Sequence, residues 1–156
     1  NPMASMLNPQ TCGAYAERLG RISEQTPRRF GKMSAAELMA HLRRTFEISM
    51  GEQEAPFVGN WLTRTRLMKW FVIDSPMPWP KGRIKAPKSF SPEPEGDLEA
   101  ERQRALEAME RFLARAATAG PDAMGGQSPL LGRMPWRRWS KLHARHVEHH
   151  CQQFGV

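Results

Sequence analysis

The stretch PWRRWSKLHARHVEHHCQQF, residues 135–154, decides how the rest of the chain is read. It holds four of the chain's five histidines, and the fifth is His41. Wrapped as a helix at about 100° per residue, it places Trp139, His143, His146 and His150 within roughly 60° of one another, with Trp136, Val147 and Phe154 on the same side. Three imidazoles therefore ride on the face that an amphipathic helix buries. His149 falls about 90° from the centre of that face, at the rim or in solvent.

Outward from this stretch the pattern is helical. Residues 97–117 carry Leu98, Ala105, Leu106, Met109, Phe112, Leu113 and Ala116 along one side, with charged residues opposite, and Gly120-Pro121 ends them. Residues 120–135 form a glycine- and proline-bearing connection in which Pro129-Leu-Leu-Gly132 packs before the last helix. Near the N-terminus, Cys12, Tyr15, Leu19 and Ile22 make a stripe from about Asn8 that Thr26-Pro27 should stop. Ser34-Ala-Ala-Glu37 has the form of a capping box and opens a second helix running to about Met50, where Gly51 supplies the stop. Its stripe is Leu38, Leu42, Thr45, Ile48 and Ser49, with His41 inside it. Glu37, one turn before His41, is expected to cap rather than to reach the imidazole.

Residues 51–96 change character, carrying seven of the 13 prolines and three of the five tryptophans. A short helix is expected over residues 60–71, with Trp61, Leu62, Leu67, Met68 and Phe71, and irregular chain over residues 74–94. Trp70, Phe71 and Trp79 favour packing of this insertion onto the domain as a wall or lid over a pocket. Strand signals are nearly absent. The expectation is an all-α fold in which four main helices bury their stripes against one another.

The 156 residues suit one domain over residues 6–156, with residues 1–5 read as an expression remnant and Met3 or Met6 as the natural start. No apolar run approaches the roughly 20 residues that cross a bilayer, and no secretory signal precedes the domain, so a cytoplasmic protein is expected. Cys12 and Cys151 alone cannot build a disulfide framework. The net charge of +7 would attract polyanions. Its dispersal in pairs such as Arg28-Arg29, Arg43-Arg44 and Arg137-Arg138, without a recognition motif, argues against a nucleic-acid partner.

Two histidines at i and i+4 lie one turn apart, and both can reach one ion. His146 and His150 have that spacing, and His41 is the only distant histidine left to complete a set. Burying an unpartnered imidazole costs about 1–3 kcal/mol, which a shared ion offsets. A lone histidine such as His41 more often hydrogen-bonds a carbonyl. Glu148 points away from His146, so three neutral imidazoles are the expected ligands, leaving positions open for water or substrate as in catalytic zinc sites. Zinc suits them first, and nickel, ferrous iron or manganese would also accept them. His143, on the same face, is a weaker candidate, either behind the ligands or in a pocket, and His149 a bystander.

A bundle histidine followed much later by H-x-x-x-H on the last helix resembles the DinB-like (YfiT-type) superfamily of metal-binding four-helix bundles. Gly31-Lys32-Met33-Ser34 leading to Met39-Ala40-His41-Leu42, then Trp139, then His146-Val-Glu-His149-His150-Cys-Gln-Gln-Phe154-Gly155 carry the resemblance, which runs from about Leu7 to Val156. The ending H-x-x-H-H-x-x-Q-F-G is similar to one branch without an assigned reaction. The resemblance implies a four-helix bundle with a long connection between its second and third helices, where residues 51–96 stand. It also implies a metal triad on His41, His146 and His150. Members include isomerases and transferases that use a low-molecular-weight thiol as cosubstrate.

The leading expectation is thus a metal-dependent enzyme that activates a thiol or water for transfer to, or hydrolysis of, a small molecule. Arg44 or the insertion would supply a basic lining for anionic substrates, and His143 and Glu37 are the nearest general-base candidates. Cys151 points about 100° from His150 and reads as core. The alternative is a non-catalytic module that binds a metal or small ligand, as a homodimer through exposed aromatic surface of the insertion.

Overall fold

The computed structural model describes residues 4–81 and 86–156. Residues 1–3 of the expected remnant and residues 82–85 of the insertion lie outside the described residues. In chain order the elements are α1 (Pro9–Gly20), α2 (Ala35–Ser49) and α3 (Arg66–Lys69), which runs into a π-helical stretch, Trp70–Asp74. A 3-10 turn (Lys88–Phe90) and α4 (Leu98–Ala119) come next, then strands β1 (Met124–Ser128) and β2 (Gly132–Pro135), and finally α5 (Trp136–Gln153). The chain is mostly helical. The four longest helices touch in cyclic order, α2 on α4, α4 on α1, α1 on α5 and α5 on α2. Their stripes meet in one core built around Leu19, Leu38, Phe46, Phe112, Trp139 and Val147.

The second helix begins as its sequence dictates. The Ser34 side chain accepts from the Glu37 N–H at 3.1 Å, and the Glu37 carboxylate accepts from the Ser34 N–H at 3.1 Å. Gly51, at φ +76°, ends it. The first helix stops at Gly20, a turn and a half short of Thr26-Pro27. Buried Arg102 of α4 is one reason, since it donates to the carbonyls of Leu19 at 2.5 Å and Ile22 at 2.7 Å and so satisfies acceptors that a longer helix would have used.

The short helix expected over residues 60–71 is displaced. Asn60 and Thr63 instead share a hydrogen-bonded turn, and helical structure begins only at Arg66, behind Thr65, whose hydroxyl accepts from the Met68 N–H. It continues past Phe71 to Asp74. The all-α expectation is corrected too, because β1 and β2 form an antiparallel hairpin with Gln127 opposite Arg133 and Ser128 opposite Gly132. The hairpin lies against the end of α2. A Cβ at Gly126 would collide with the Ile48 carbonyl, and one at Gly125 would sit 2.8 Å from the Trp139 ring and 3.0 Å from the Ser49 carbonyl. Close approach of backbones, rather than strand propensity, explains the paired glycines.

Candidate metal centre

His41 comes from the middle of α2, and His146 and His150 come from successive turns of α5. His41 and His150 are buried and His146 is half-buried. His146 Nε2 lies 2.7 Å from His41 Nε2 and 3.1 Å from His150 Nε2. One ring nitrogen from each of the three falls within 4.8 Å of the others, close enough to share a metal ion. Among the described residues this is the one such group of histidine, cysteine or carboxylate donors. The helices bring together the three histidines that the spacing singled out.

The outer nitrogens fix which lone pairs point inward. His41 Nδ1 lies 2.6 Å from the Phe90 carbonyl. A carbonyl only accepts, so Nδ1 carries the proton and Nε2 presents its lone pair to the site. His150 Nδ1 lies 2.7 Å from Gln153 Oε1. The Gln153 amide cannot be flipped without loss, because its Nε2 donates to the Phe30 carbonyl at 3.0 Å. His150 Nδ1 therefore also holds the proton. Two lone pairs converge on His146 Nε2, where a single N–H could serve only one of them. A cation at the centre would satisfy all three nitrogens.

Electrostatics act in the same direction. Burial pushes His41 down to about 4, against some support from the Phe90 carbonyl. Burial first, and the neighbouring histidines second, hold His146 and His150 well below the usual imidazole value. All three are neutral at pH 7, the form in which imidazole binds metal.

A mouth of about 470 Å³ reaches the three histidines between Phe30, Lys32, Met33, Ser91, His149 and Gln153. Trp79 forms one of its walls, as expected of the insertion. The indole Nε1 donates to the Val72 carbonyl at 3.0 Å, and its ring packs on His149 and beside His146.

The remaining candidates divide. His143 is buried among Phe46, Phe112 and Trp139 and donates from Nε2 to Ser49 Oγ at 2.8 Å, so it bonds none of the three, and it borders the apolar cavity beside them. His149 sits at the rim, packed between Phe30 and Trp79. Glu37 caps α2, Glu148 pairs with Arg18 at 2.7 Å, and neither faces the site. Arg44 pairs with Glu47 at 3.4 Å and is not among the described residues that line the mouth. Cys151 is buried, and that burial pushes its thiol up to about 11, which removes a catalytic cysteine from consideration. Spacing alone did not single out Gln153 or the Phe90 carbonyl, the two groups that orient the imidazoles. Gln153, three residues after His150, was within reach of an i, i+3 argument. Phe90 was not, because only the fold carries the insertion onto α2.

A family model described as "Protein of unknown function (DUF1569)" matches residues 4–155. No curated protein and no solved structure matches the chain.

Proposed function

We propose, for a chain that belongs to the DUF1569 family across nearly its whole length, a metal-dependent enzyme of the DinB-like type acting on a small molecule. One observation carries it. Two imidazoles with their outer nitrogens tied to oxygen acceptors aim their lone pairs at a third, a donor set that suits one divalent ion, zinc first and nickel, iron or manganese after it. The cyclic contact of four long helices and the long segment between α2 and α4 support the DinB-like bundle.

An ion held there would deprotonate a thiol outright or lower the pKa of water to about 7. The Phe90 carbonyl and Gln153 keep the rings in place, and Trp79 limits water on one side. Thiol transfer to a small electrophile is the first reading and hydrolysis the second.

The test is turnover by zinc-reconstituted protein on a panel of low-molecular-weight thiols with small electrophiles, and on small esters and amides. Activity that His146→Ala lowers at least a hundredfold, and that a chelator removes and zinc restores, is the expected result. A metal-loaded protein that turns over none of the panel would favour a non-catalytic metal-binding module instead.

A further inference from the structure

Trp79, His41 and His146, which line the mouth, also border a second cavity of about 170 Å³. We infer that this chamber receives an uncharged, apolar part of the substrate, about the size of one six-membered ring, whose single polar end meets the metal centre from its His41 and His146 side. The inference rests on the metal reading above and adds the substrate class to it.

The walls are Phe71, Val72, Phe90, Leu130, Leu131 and Leu142, and among the described residues no Lys, Arg, Asp or Glu lines the chamber. Most of the hydrogen-bonding capacity that borders it is already engaged, the Ser128 hydroxyl proton and the Thr45 lone pairs excepted. Thr45 Oγ1 donates to the Leu42 carbonyl at 2.8 Å, and Trp139 Nε1 donates to the Gly126 carbonyl at 2.9 Å. Ser128 Oγ accepts from the N–H groups of Leu130 and Leu131 at 3.3 and 3.1 Å. His143 Nε2 donates to Ser49 Oγ, whose own hydroxyl donates to the Phe46 carbonyl at 2.7 Å.

A charged group placed here would give up water and meet, among the described residues, only the Thr45 and Ser128 hydroxyls and the histidines as partners. An apolar group loses nothing by the same move. An apolar cavity of about 150 Å³ holds benzene in another protein, which sets the scale of the group this chamber admits. The mouth differs, being bordered by Lys32, Ser91, His149 and Gln153. A polar cosubstrate would reach the histidines from there while the apolar body occupies the chamber.

Calorimetric titration with toluene, benzyl mercaptan and 3-mercaptopropionate tests this on zinc-loaded and chelator-stripped protein. Toluene should bind both forms with affinities within threefold of each other, benzyl mercaptan should bind the loaded form at least tenfold tighter than the stripped one, and 3-mercaptopropionate should not displace toluene. Leu130→Trp, at a half-buried wall position, should weaken toluene at least tenfold with zinc content unchanged. Leu142→Phe provides the same check if the first variant does not fold. Absence of toluene binding, displacement by 3-mercaptopropionate, or filled variants that bind toluene like the parent would overturn the chamber. Toluene binding by a protein that never retains zinc would uphold the chamber and overturn the metal reading. Zinc retention without toluene binding would do the reverse.

Discussion

At the scale of single residues, the site is held by contacts behind the histidines. Gln153 clamps the His150 ring and is itself clamped by the Phe30 carbonyl. Loss of such an outer partner typically weakens metal binding 10- to 100-fold, so Gln153→Ala should lower zinc affinity by about that factor in competition with a chromophoric chelator. His149→Ala should leave it unchanged. Gly31 belongs to the same device, since it has φ +80° and a Cβ there would strike the Gln153 amide. The glycine-led segment before α2 was legible as a motif, but its reason was not, because the contact spans most of the chain. His143 was legible as a buried histidine beside a pocket, but its bond to Ser49 was not. Burial lowers it to about 3, whereas the unfolded chain takes up its proton near 6.5. The unfolded state then binds more protons between those values, so this contribution to stability is complete above pH 6.5 and is lost as pH falls toward about 3. Urea midpoints should decline over that window, and His143→Phe should flatten the decline.

At the scale of elements, helices written in stripes and caps were readable, and elements set by distant contacts were not. The capping box placed the start of α2 within a residue, and the 100° periodicity placed α4 and α5 almost as closely. The end of α1 depends on Arg102, and the hairpin depends on glycines fitting under the Ile48 carbonyl, neither of which a local window contains. Charged residues on α4 were also misplaced by pattern alone, for Glu101 is completely buried. Its carboxylate accepts from the N–H groups of Glu95 and Gly96 and from Arg104, and faces Arg43 at 3.7 Å. This ties the end of the insertion to the first turn of α4. Glu101→Ala would leave the Glu95 and Gly96 N–H groups without their acceptor while Arg43 keeps Glu47 at 3.0 Å, at a cost of about 1–3 kcal/mol, readable as a lower urea midpoint.

At the scale of the whole molecule, the helices bring the ends of the sequence argument together. His41 stands more than a hundred residues before His146, yet α2 and α5 are neighbours, and the insertion returns across them to supply the Phe90 carbonyl and the Trp79 wall. Among the described residues no helix is long and apolar enough to cross a membrane. Much of the basic charge is held in ion pairs between elements, such as Arg18 with Glu148, Arg111 with Glu52 and Lys141 with Asp74. Trp61, Leu67 and Trp70 remain largely exposed on the insertion, while Trp79 is turned toward the site. The central claim is that the three convergent imidazoles hold a metal ion, and metal content per chain tests it most directly. Purified protein reconstituted with zinc and freed of excess should retain about one equivalent, and His41→Ala, His146→Ala and His150→Ala should each lose most of it while His149→Ala keeps it. Equal zinc in the parent and all three triad variants, or none retained by the parent, would contradict the account.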